Sequence, residues 1–117
     1  MPTITEKRRT FRQLHESGCF VIPNPWDAGT VRYLQHLGFK AIATTSSGAA
    51  FSMGMPDQEW ALKRDPMLAH IRMIVEASDL PVNADYESAY ADDPAGVADV
   101  RCSVFRGAAR GEPDPGD

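Results

Sequence analysis

Apolar positions recur at two spacings along this chain, and the spacing changes at prolines and glycines. Thr3-Ile4-Thr5-Glu6 has the Ser/Thr-x-x-Glu form of a capping box. Phe11 and Leu14 follow at helical spacing before Gly18, so a first helix is expected there. Cys19-Phe20-Val21-Ile22 is instead a continuous apolar run closed by Pro23-Asn24-Pro25. It reads as a short strand, with Cys19 a buried thiol and Asn24 and Trp26 just beyond the strand end. Val31, Leu34 and Leu37 then recur every three residues, with Asp27 as N-cap and Gly38 as the left-handed stop of a second helix. Residues 39–45 read as a second strand that runs into Ser46-Ser47-Gly48-Ala49-Ala50, a turn of small residues. Residues 51–57 have no clear period and read as a loop that ends at Asp57.

Asp65 followed by Pro66 punctuates the start of a third helix, whose apolar side carries Leu68, Ile71, Ile74 and Val75. Residues 81–87 form the third expected strand, and Asp93-Pro94 opens a fourth helix with Val97 and Val100. His15, His36 and His70 fall on helices away from any acid cluster and read as surface or boundary residues. Strands alternating with helices predict a parallel sheet covered by helices. Polar residues gather after each strand, where parallel α/β folds bind ligands.

The sharpest chemical pattern ends the third strand. In extended chain, residues i and i+2 point the same way, so Asp85 and Glu87 share a face. Two hard oxygen donors so placed suit a divalent cation such as Mg²⁺, directly or through its waters. Acids at a strand end equally serve to begin a loop or cap a helix, and spacing leaves both readings open. The same holds for Ser46 to Ala50: successive N–H groups in such a turn can hold a carboxylate or phosphate, and the composition is also that of an ordinary loop.

The chain has 117 residues, 43% apolar and 24% charged, which fits one soluble domain with a real core. Its formal net charge of −4 argues against nucleic acid and against attraction to an anionic membrane. No apolar run approaches the roughly 18 residues of a spanning helix, and residues 1–10 carry no apolar leader core, so a cytoplasmic location is expected. Cys19 and Cys102 form no CxxC pair, so neither a disulfide framework nor a zinc site is indicated. Residues 1–100 carry the domain. From 101 to 117 Gly and Pro accumulate, and an irregular tail, disordered from about Gly107, is expected.

Three stretches in register, Pro23-Asn24-Pro25-Trp26-Asp27-Ala28, then Thr45 to Ala50 leading to Gly54-Met55-Pro56-Asp57, then Pro81-Val82-Asn83-Ala84-Asp85-Tyr86-Glu87-Ser88-Ala89-Tyr90, resemble the N-terminal part of the isocitrate lyase and phosphoenolpyruvate mutase superfamily. The resemblance covers about residues 8–100. It implies part of a (β/α)₈ barrel, about three βα units after a leading helix, and chemistry on small 2-oxo or 2-hydroxy carboxylic acids: C–C cleavage, decarboxylation or rearrangement of a P–C bond. Position by position, it implies that Ser46, Ser47, Gly48 and Ala49 belong to the turn that holds the substrate's carboxylate or phosphoryl end. Asp57 matches a catalytic acid, Asp85 the acid nearest Mg²⁺, and Glu87 a second acid that acts through metal-bound water. Tyr86 is bulkier than the residue usual between the acids, and Ala89 and Ala91 stand where glycines are common.

Length sets the sequence apart from the family. A full barrel takes ~250 residues, with about 200 as a lower limit. The further metal-associated glutamate and the mobile cysteine loop that the resemblance implies are missing, and Cys102 lies in no such context. A truncated barrel is expected, its reading frame lost near residues 98–101. Uncovered sheet edges would leave it marginally stable and inactive by itself. Full-length relatives are expected to be homo-oligomers. Two other readings stand beside the enzyme: a small α/β module that binds an anion without turnover, and a purely structural domain whose acids are all caps.

Overall fold

A computed structural model of the chain describes residues 1–59 and 61–99. The elements run α1 (Ile4–Leu14), α2 (Ala28–His36), β1 (Ile42–Ala43), α3 (Ser46–Ser52), α4 (Arg64–Glu76) and β2 (Val82–Asn83), and residues 94–99 are helical. Two of the three expected strands are present, each shortened to two residues, and β1 pairs with β2 in parallel, Ile42 opposite Val82 and Ala43 opposite Asn83.

Punctuation by side chains explains most of the boundaries. Thr3 and Glu6 form the full capping box of α1, each bonding the other's backbone N–H. Asp27 caps α2 in the same reciprocal way with Thr30, and Gly38, at φ +90°, lies just past its end. The helix expected to be capped by Asp65 starts two residues earlier: Lys63 stands at the N-cap of α4 without a side-chain bond, and Asp65 lies in the first turn, where its charge favours the helix dipole.

The run Cys19 to Ile22 is not a strand. The N–H groups of Ile42 and Thr44 donate toward the β2 side, to Pro81 O and Asn83 O, while that of Ala43 donates the other way, to Pro23 O at 3.0 Å. The 19–23 segment thus lies beside β1, but Pro23 and Pro25 have no N–H to extend a ladder. Val21 and Cys19 are left exposed, which corrects the expectation of a buried thiol.

Two apolar clusters hold the layers. Val31 of α2, Ile42 of β1 and Ile74 of α4 are fully buried together. Ala49 and Ala50 of α3 pack with Leu62, Met67 and Ile71, and the rings of Tyr86 and Tyr90 lie against them. Helix α4 serves both clusters through Ile71 and Ile74, three residues apart on one face. Helix α1 buries no residue of its own. It is tied down by Lys7, whose Nζ donates to Val75 O (3.3 Å) and Ser78 O (2.5 Å) at the end of α4. The last turn of α4 has no basic residue, and Lys7 supplies the cation its carbonyls favour.

Candidate active site

The ends of β1 and β2 are joined by polar side chains rather than by more ladder. Thr44, buried just after β1, accepts from the Asp85 N–H at 2.8 Å. Asp85 in turn accepts through Oδ2 from the Ser46 N–H (3.2 Å) and hydroxyl (3.0 Å), and through Oδ1 from the Glu87 N–H (3.1 Å). Burial alone would raise the Asp85 pKa, but the bonds from Glu87 and from both Ser46 donors together outweigh it and hold the carboxyl below its ordinary value. Asp85 is therefore an anion fixed against the first residue of α3.

The small-residue stretch is not a turn but the start of that helix. Thr45 is its N-cap and accepts from the Gly48 N–H at 3.1 Å, while its carbonyl accepts from the Ala49 N–H. Small size and the Thr45 cap together let the helix begin immediately after the strand. A Cβ at Gly48 would lie 2.6 Å from the Thr45 methyl and 3.5 Å from Trp26 Cβ, so the helix start and the Trp26 loop close on this position. The Ser47 hydroxyl lies 3.2 Å from that of Thr45.

The candidates are thus only partly assembled. Ser46, Ser47, Gly48 and Ala49 form the first turn of α3, and Asp85 stands against it; Glu87, past the end of β2 and at φ 50°, lies in a turn rather than in the extended chain expected to align it with Asp85. Asp57 is exposed on the 53–59 segment and, among the described residues, shares no hydrogen bond or ion pair with them. Thr44 escaped the sequence reading and Thr45 was given no role of its own there, although two adjacent threonines at a strand end put one hydroxyl on each face. His70 is another correction: expected at a boundary, it is 4% exposed, and its Nε2 lies 2.7 Å from Trp26 O.

Beyond Glu87 the backbone is strained. Glu87, Ala89 and Tyr90 have φ of 50°, 63° and 56°, a left-handed run without a glycine. The hydroxyls of Tyr86 and Tyr90 are buried without a hydrogen-bond partner. Burial, with the nearby Glu87 and Asp85 carboxylates, pushes the Tyr90 hydroxyl up to about 12. Substituting Ala89→Gly removes a Cβ from the left-handed region, and we expect it to stabilise the chain by about 1 kcal/mol in urea unfolding.

A second expectation concerns pH. Asp27, through its bonds from the Thr30 N–H and hydroxyl, and Asp85 both hold their protons less tightly folded than unfolded. Their contribution is complete above the ordinary Asp pKa of about 3.9 and is lost as pH falls through the lower folded values. Urea midpoints between pH 7 and pH 3 should decline with acid, and less steeply in Asp27→Asn.

With that geometry in place, kinship can be compared. The family model described as phosphoenolpyruvate phosphomutase matches residues 11–110. The chain belongs to this family. An uncharacterized family relative from Mycobacterium tuberculosis is 37% identical over 93 residues, which is 77% of this chain and 34% of that protein. The crystal structure of a candidate lyase/mutase from Burkholderia cenocepacia J2315 is 49% identical with a TM-score of 0.82, covering 88% of this chain and 37% of that one. That of 2,3-dimethylmalate lyase, a phosphoenolpyruvate mutase/isocitrate lyase superfamily member, is 27% identical with a TM-score of 0.74, covering 89% and 36%. The chain therefore spans about a third of the length of these family relatives. Its α/β fold resembles the corresponding part of them.

Proposed function

We propose that these residues form the first part of the active site of a Mg²⁺-dependent enzyme acting on small 2-oxo or 2-hydroxy carboxylic acids, by C–C cleavage or decarboxylation through an enolate. The observation that carries the reading is the anionic Asp85 clasped to the first residue of α3, which brings the acid-bearing end of β2 against the Ser46 to Ala49 turn. Membership of the phosphoenolpyruvate phosphomutase family supports it, as does likeness to a lyase whose named substrate, 2,3-dimethylmalate, is a 2-hydroxy diacid.

The donor set fits the cation. Among the described residues no group of three or more His, Cys, Asp or Glu converges. Asp85 and Glu87 offer two carboxylates, and Mg²⁺ is commonly held by one or two of these while it keeps waters and takes substrate oxygens. When bound, the cation would stabilise the negative charge that develops on the substrate as the bond beside its carbonyl breaks. Asp85 would hold it, with Glu87 acting through its water shell. The Ser47 hydroxyl and the first turn of α3 would orient the substrate's far carboxylate. Asp57 would act as the catalytic acid only after the 53–59 segment moves toward Asp85. The 117 residues alone are expected to bind without turnover. Oligomers are expected of longer relatives.

Calorimetric titration of the chain with MgCl₂, with and without oxalate as a planar enolate mimic, tests this. Saturable heat that tightens with oxalate is expected. A flat titration in both conditions would sink the proposal.

A further inference from the structure

His70 is the one histidine among the described residues that is buried, and nothing in the enzyme reading employs it. It projects from the middle of α4, beside Ile71 of the α3–α4 cluster. Its sole hydrogen bond joins Nε2 to the Trp26 carbonyl at 2.7 Å, across 44 residues of sequence, while Nδ1 is buried without a partner. A carbonyl only accepts, so Nε2 must carry a proton. The bond is therefore directional: helix α4 donates to the loop.

That loop leads directly to the candidate site. The Trp26 peptide is held on its other side as well, its N–H donating to Thr30 Oγ1 at 3.3 Å. Pro25 before it is fully buried, and Asp27 after it caps α2. Trp26 Cβ stands 3.5 Å from where a Cβ on Gly48 would be, and the residue is 48% exposed. Trp26 thus abuts the first turn of α3 through its Cβ, anchored by a backbone whose N–H Thr30 accepts and whose carbonyl His70 meets.

We propose that His70 is a positioning residue that seats the Trp26 carbonyl and so fixes Trp26 against the first turn of α3 at Gly48. The inference deepens the enzyme reading and rests on it for the identity of the ligand, but the seating of Trp26 can be measured with no ligand present. A helix-borne donor suits the task, because a group on a packed helix is held more rigidly than one on a loop.

The test uses the full chain carrying Trp60→Phe, so that Trp26 is its only indole. His70→Leu is expected to shift the Trp26 emission to the red, to raise its quenching by acrylamide and to weaken oxalate binding in the presence of MgCl₂. His70→Gln keeps an N–H donor and is expected to return emission and quenching toward the parent. Ile71→Val lowers stability on the same helix without touching the bond, and is expected to alter neither. An unchanged Trp26 spectrum in His70→Leu, or an equal shift in Ile71→Val, overturns the inference. Nitrogen NMR of the unsubstituted chain gives a check that needs no variant to fold: Nε2 should carry a proton, and a ring protonated on Nδ1 alone overturns the inference. A Trp26 response with no oxalate binding in any variant leaves the seating intact and counts against the enzyme reading alone.

Discussion

Replacing Asp85 by asparagine should abolish measurable Mg²⁺ binding while leaving the chain folded. The two consequences separate because Asp85 has two physical roles. As an acceptor, it satisfies the N–H groups of Ser46 and Glu87 and the Ser46 hydroxyl. As a charge, it is the better fixed of the two candidate ligands, held ionised by those same donors. Asparagine keeps one acceptor oxygen of the same reach, so the link between β2 and α3 is weakened but not cut, and a loss of about 1 kcal/mol is expected. The charge is gone entirely. Losing an outer partner of a metal ligand already costs about 10–100-fold in affinity, and losing the ligand itself should exceed that. Asp85→Ala should lose both the metal and the link. Circular dichroism melts beside calorimetric titrations of the two variants decide the matter: Mg²⁺ binding by Asp85→Asn at parental affinity would reduce Asp85 to a helix tether.

The second large effect is expected at Ile74. Its side chain is fully buried between Val31 of α2 and Ile42 of β1, so it joins the sheet to both outer helices. Ile74→Ala deletes three carbons from a cluster whose members sit on three separate elements and cannot easily close the gap. A loss of about 2–5 kcal/mol follows, against a total of roughly 5–15 for a domain of ordinary stability. Ile74→Val, one methylene smaller, should lose only about 0.5–1.5 kcal/mol. Chemical denaturation followed by far-ultraviolet dichroism measures both. Equal midpoints for the alanine variant and the parent would show that this cluster does not hold the layers together.

Helix boundaries were largely legible in the sequence because their causes are local. The Thr3–Glu6 box, the Asp27 cap and the Gly38 stop each act within a few residues, and each stands where the spacing put it. What was not legible depends on partners distant in the chain. Ser46 to Ala50 looked like a turn because its small residues carry no helical period and nothing local reveals that Asp85, 39 residues on, fastens its first N–H. His70 looked superficial because its partner is a backbone carbonyl, which no composition signals. The run from Cys19 to Ile22 failed as a strand for the opposite reason: its apolar pattern was sound, but the prolines after it deny it a ladder. Of the candidate site, the juxtaposition of Asp85 with Ser46 followed from reading both as strand-end residues of a parallel sheet. The position of Asp57 did not, since a segment without period gives no direction to its side chains.

The tether between Lys7 and the end of α4 bears on the order in which parts of the molecule come apart. Helix α1 contributes no fully buried side chain, so beside the half-buried Ile4, Phe11 and Leu14 its attachment uses a cation reaching two carbonyls about 70 residues away. Burial lowers the Lys7 pKa, so its ammonium is easier to discharge than a free lysine's. Amide hydrogens of α1 should therefore exchange with solvent through a partial opening well below the free energy that releases those of α4. Each such opening would hand the carbonyls of Val75 and Ser78 to water and fray the last turn of α4 from outside, while the Ile71 and Ile74 contacts further along the helix stay closed.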